Sequence, residues 1–152
     1  MHAPPGFKFE RQWLNYCCKV HAVAKDLVEG RSGVIATADA LCSLAGWLRI
    51  TDDEDIVVFL QIRRRVVELP TGPERAMWAA HALARADIKI SAIEASWSAT
   101  ALKAAQSLME KYAPALQRRR ELRKLQRAAQ SSNNRLERSG RSSGEEQGGS
   151  ND

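Results

Sequence analysis

The chain changes character near Pro114, where an alanine-rich body with helical apolar spacing gives way to Leu116-Gln117-Arg118-Arg119-Arg120-Glu121-Leu122-Arg123-Lys124-Leu125-Gln126-Arg127 and then to a polar tail. Up to Pro114 there are 14 Lys/Arg and 13 Asp/Glu; after it, 9 and 5. The basicity is therefore local, as in a near-neutral domain with a charged appendage, and not spread as it is over a uniformly basic nucleic-acid reader. A body of this length is one ordinary domain that buries a core without help from metal or disulfides.

The apolar spacing of that body is helical. Phe9, Trp13, Tyr16, Val20, Val23, Ala24 and Leu27 recur three and four apart, which predicts a helix from about Phe7 to Glu29, stopped by Gly30. Ala38, Leu41, Ala45 and Leu48, with Ile35 and Cys42 beside them, form a second stripe starting near Val34. Thr51-Asp52-Asp53-Glu54-Asp55 places four carboxylates ahead of an apolar run, which the positive end of a helix dipole favours, with Thr51 or Asp52 as the cap. The following Ile56 to Val67 is rich in β-branched residues. Helix is preferred because Ile56, Phe59 or Leu60, Arg63 and Val67 space helically and a lone strand has no partner.

Leu69-Pro70-Thr71-Gly72-Pro73 reads as a turn whose last proline opens a helix with a stripe of Ala76, Met77, Ala80, Leu83 and Ala84. Asp87 offers a new cap before Ile88, Ile93, Trp97, Ala101, Ala104, Leu108 and Tyr112, and Pro114 is expected to end or bend that helix. The expectation is an all-α fold: a single helical bundle of four or five helices, with a basic helical extension and a disordered tail. Its parts are a flexible N-terminus at 1–6, the bundle at 7–113, the extension at 114–129 and the tail at 130–152, too polar to bury surface.

Gly30-Arg31-Ser32-Gly33-Val34-Ile35, Ala38 to Leu48, Leu69-Pro70-Thr71-Gly72-Pro73-Glu74-Arg75-Ala76-Met77-Trp78, and Asp87-Ile88-Lys89-Ile90 with Glu94 together carry a resemblance. Over about residues 11–113 the chain resembles a bacterial family of small all-helical proteins known only as a domain of unknown function. The resemblance implies a cytoplasmic helical domain and hands over no site residues. The tail after Ser131, with Ser132-Asn133-Asn134-Arg135-Leu136-Glu137-Arg138-Ser139, is similar to translated repeat or gene-cassette sequence.

Chemistry-bearing patterns are sparse. Cys17, Cys18, His21 and His81 lack the paired spacing of a zinc site, and no Glu precedes either histidine by three as a di-iron bundle needs. The Asp52 to Asp55 run lacks the calcium-loop pattern. Asp87 and Glu94 share a helix face and could act with His81 as an acid/base set, although one-faced carboxylates are more often solvated or paired with arginine. Nucleophile-elbow, Walker and dinucleotide motifs are absent. The expectation is a protein that is not an enzyme, with no catalytic residue, cofactor or metal.

Two surfaces remain. Trp47 and Trp78 sit beside their helices' stripes and are candidate protein contacts. Arg118, Arg119, Arg120, Arg123, Lys124 and Arg127 are candidate nucleic-acid contacts. Arg120, Arg123, Lys124 and Arg127 line one side, with no aromatic between them for base stacking. A membrane role is disfavoured because Leu116, Leu122 and Leu125 lack aromatic anchors. With three cysteines, an odd count that includes an adjacent pair, and no export signal, a reduced bacterial cytoplasm fits. The leading reading is an accessory or immunity-like module that binds an unknown protein or itself. The alternative is nonspecific nucleic-acid binding through Arg118 to Arg127.

Overall fold

The apolar stripes read from the sequence become four α-helices in the computed structural model, which describes residues 2–142. They are α1 (Glu10–Val28), α2 (Val34–Leu48), α3 (Glu54–Val66) and α4 (Ala80–Ser142), with a short 3-10 turn at Pro73–Met77. Among the described residues there is no strand, so the fold is all-α. The chain divides into two compact units, Met1–Leu116 and Gln117–Asp152.

In the first unit α2 packs against both α1 and α3. Leu14, Val20, Leu41, Ile56, Phe59, Ile62 and Leu108 are fully buried, and Ala24, Ala38, Ala45, Ala101 and Ala105 are equally inaccessible, so small side chains let the helix backbones approach closely. The α2 stripe is the one the spacing predicts. The α1 stripe is turned by one position. Trp13, Leu14, Cys17, Val20, Ala24 and Leu27 are buried, Tyr16 is half-buried and Phe9 is 67% exposed. The reason is that Cys17 and Cys18 pack as small apolar groups and draw the buried face past Tyr16.

Gly30 adopts φ +73° just after α1, a conformation that costs glycine nothing, and Arg31 and Ser32 donate their amides to the Asp26 carbonyl. The cap of α3 is Asp53, not Thr51 or Asp52. Its carboxylate accepts from the amides of Asp55 at 3.0 Å and Ile56 at 3.4 Å. The β-branched run after it is helical, as its spacing requires.

α4 departs most from expectation. Pro73 opens only the 3-10 turn, and Trp78 is extended (φ −95°, ψ 142°), so α4 starts afresh at Ala80 and Ala76 and Met77 lie exposed instead of forming a core stripe. Arg75 anchors this turn. It donates to the Pro70 carbonyl at 3.0 Å and to both oxygens of Asp87 at 2.7 and 3.0 Å, which is why Asp87 caps nothing and α4 continues past it.

Pro114 neither ends the helix nor marks its boundary. It is exposed, as is Glu110 one turn earlier, so the carbonyl that loses its amide partner meets water. Residues 130–142, expected to be disordered, continue α4, because a polar segment that cannot bury surface can still satisfy its backbone within a helix. The rest of the expected tail, 143–152, lies outside the described residues.

Two polar clamps fix α4 to the first unit's other helices. Glu94 accepts from the amides of Val34 and Ile35, both at 2.9 Å, and so caps α2 from 60 residues away, where Gly33 supplies no side-chain cap. A Cβ at Gly33 would stand 3.1 Å from that carboxylate, so a side chain there would require the carboxylate to shift by a few tenths of an ångström. At the other end Lys111 binds Asp53 at 2.6 Å and Asp55 at 3.1 Å, while the Ser107 hydroxyl donates to Asp55 at 2.6 Å.

Burial pushes the Cys17 thiol up from 9.0 to about 12, with the neighbouring Cys18 adding to it. Burial likewise raises the Tyr112 phenol from 10.0 to about 12. Both groups keep their protons in the folded chain after the unfolded chain has lost them. Their contribution to stability is therefore complete below about pH 9 and is lost as pH rises from 9 to 12. Urea unfolding followed by circular dichroism is expected to give a midpoint unchanged by these groups from pH 7 to 9 that then falls steadily.

Candidate nucleic-acid interface

Side-chain placement on one exposed helix governs the electrostatics of the second unit. Between Gln117 and Ser142 there are nine Lys/Arg and two Glu, and no residue from 117 to 141 is buried. An α-helix advances about 100° per residue. On that wheel Arg120, Arg123, Lys124, Arg127, Arg135, Arg138 and Arg141 fall within an arc of about 120° and extend over about 32 Å. All seven are exposed. Glu121 and Glu137 lie outside the arc, and the neutral residues within it from Gln117 to Arg141 are Gln117, Ser131 and Asn134. The result is a face of one sign, with an uncharged stretch at 128–134.

Four of the six cations singled out in the sequence belong to this face. Arg118 and Arg119 do not. Both are half-buried, the wheel turns them away from the arc, and Arg118 faces Glu121 at 3.6 Å. The sequence reading missed Arg135, Arg138 and Arg141 because it ended the helix before them. The signal was present in the three- and four-residue steps that keep 120, 127, 131, 134, 138 and 141 in phase.

Nearly opposite the basic arc runs a thin apolar seam of Leu122, Leu125, Ala129 and Leu136, with Leu125 64% and Leu136 71% exposed. This opposition bears on which anionic surface the helix suits. On a membrane an amphipathic helix inserts its apolar face and flanks it with cations. Here insertion of the seam would aim the seven cations away from the headgroups. Among the described residues no helix is long and apolar enough to cross a membrane.

The other candidate residues are in the first unit. Trp47 is 67% exposed and stacks on Tyr16 with ring centroids 6.1 Å apart and planes 7° from parallel. The Lys19 ammonium lies 5.5 Å from the Tyr16 ring. Two residues after Trp47, Arg49 takes the left-handed conformation at φ 57° and sets its guanidinium 5.9 Å from the Phe7 ring. Trp78 is 40% exposed and lies in the extended link before α4.

A groove of about 780 Å³ is lined by α2, α3, the 3-10 turn and the start of α4, and it contains both Asp87 and Glu94. Their carboxylates are already engaged, Asp87 with Arg75 and Glu94 with the α2 amides. The Arg75 hydrogen bonds hold the Asp87 carboxyl below its usual value. His81 is exposed and not part of that lining, so the structure does not gather His81, Asp87 and Glu94 into one set. All three cysteines are buried, and among the described residues no cluster of three or more His, Cys, Asp or Glu is arranged to hold a metal ion. Comparison with protein-family models, with curated proteins and with solved structures finds no match to this chain.

Proposed function

We propose that this protein binds nucleic acid through the basic face of α4, by contacts to phosphate that do not depend on base sequence. The observation that carries this reading is the single-sign arc of seven exposed cations on one helix. Cations bound to phosphates displace condensed counterions, so such a face gives affinity that depends steeply on salt. The mechanism needs only positioning. A helix holds each guanidinium at a set height and azimuth, and Arg presents a fork that matches two phosphate oxygens. The bundle then acts as the carrier of this helix.

The reading is of a non-enzymatic cytoplasmic protein of bacterial type; three free, buried cysteines with no disulfide among them fit a reducing compartment. A second reading, contact with a protein partner or a second copy, is favoured by the exposed Trp47 stacked on Tyr16, since exposed aromatic residues are common anchors of interfaces. Titration of a fluorescent duplex with the full chain at several salt concentrations distinguishes the two. If all seven cations meet phosphates, the logarithm of affinity is expected to fall with the logarithm of salt with a slope of about −6. A slope shallower than about −2, or no binding at low salt, overturns the nucleic-acid reading.

A further inference from the structure

We infer that the ligand of the basic face is double-stranded B-form DNA, crossed at its major groove; this deepens the reading above and rests on it. The cations of the arc form two groups. Arg120, Arg123, Lys124 and Arg127 make the first, Arg135, Arg138 and Arg141 the second, and residues 128–134 carry no charge. From Arg127 to Arg135 is eight residues, or about 12 Å of helix rise. The major groove of B-DNA is about 12 Å wide, so a helix laid across it sets one group on each of the two phosphate strands that flank it. A straight helix laid tangent to a duplex comes closest to the bases at its middle and meets a phosphate strand toward each end. The spacing of the two groups matches that demand.

The residues between the groups suit the same position. Ser131 and Asn134 lie in the basic arc over the open groove, where no phosphate is within reach and no cation is needed. Other nucleic acids fit less well. Duplex RNA has a deep, narrow major groove, so the phosphate strands at its rims do not match the spacing of the two groups. Single strands are held by stacking, and residues 117–142 contain no Phe, Tyr, Trp or His.

The test uses the full chain and three probes of one sequence and about 20 base pairs or nucleotides, about two turns of duplex: duplex DNA, duplex RNA and single-stranded DNA. Duplex DNA is expected to bind at least about tenfold more tightly than either competitor, about one phosphate contact's worth at 0.1 M salt. Equal or tighter binding of duplex RNA or single strands overturns the inference and leaves phosphate binding standing. Failure of all three probes at low salt removes the underlying reading as well.

A paired substitution tests the face. Asn134→Glu places a carboxylate in the arc, whereas Asn133→Glu places the same charge well outside it. Asn134→Glu is expected to weaken duplex DNA binding at least about tenfold more than Asn133→Glu, about one phosphate contact's worth at 0.1 M salt. Equal losses show that net charge alone matters and overturn the groove assignment. Both sites are exposed on the helix, and matching helical circular dichroism confirms that neither variant has unfolded.

Discussion

The chain carrying Arg120→Gln, Arg123→Gln, Lys124→Gln and Arg127→Gln is expected to bind duplex DNA several thousandfold more weakly than the unaltered chain at 0.1 M salt. The size follows from counterion release. Each phosphate contact contributes about 0.9 to the salt slope, so four lost contacts flatten it by about 3.6 and remove between three and four decades of affinity at that salt concentration. Glutamine keeps a long polar side chain with good helix propensity, so the substitution deletes charge with little effect on the helix. The corresponding control is Arg118→Gln with Arg119→Gln, which removes two charges that lie off the arc. If the control loses as much per charge as the fourfold variant, the helix acts through its net charge and the arc has no special standing. Anisotropy titrations of both variants across salt concentrations measure slope and affinity together.

Much of the fold was legible because helical periodicity is a property of neighbours in sequence. The α2 stripe from Ile35 to Leu48, the stop at Gly30 and the helical nature of Ile56 to Val66 all follow from spacing and local conformation. Three features were not, for separate physical reasons. The rotation of α1 depends on whether cysteine counts as apolar, and burial of Cys17 and Cys18 decides it. The long-range clamps pair residues more than 50 positions apart, Glu94 with the α2 amides and Lys111 with Asp53 and Asp55, and no local pattern announces them. The continuation of α4 past Pro114 and Ser131 depends on water satisfying one carbonyl and on the helix satisfying its own amides, neither of which composition reveals. That last omission also truncated the candidate interface, since it hid Arg135, Arg138 and Arg141.

Replacing Phe59 by alanine is expected to be the most damaging of the single aromatic truncations considered. Phe59 has no accessible surface and lies in α3 among Ile56, Ile62 and the buried face of the unit. Its removal forfeits the transfer of a whole ring and leaves a cavity that helices clamped at both ends cannot close. The cost expected is about 3 to 5 kcal/mol, enough to lower the melting temperature by roughly 10 to 20 °C. Trp47→Ala, by contrast, removes a larger side chain that is 67% exposed and is expected to cost about 1 kcal/mol, mostly the stack on Tyr16. Burial, not size, separates the two aromatics. Differential scanning calorimetry gives both values. The Phe59 variant also connects stability to binding. The seven cations lie on the stretch of α4 in which no residue from 117 to 141 is buried, so the side chains of that stretch add nothing to the core around Phe59. Below its lowered melting temperature the Phe59→Ala chain is expected to keep the duplex affinity and salt slope of the unaltered chain. A parallel loss of both would mean that the basic face depends on the bundle for more than attachment.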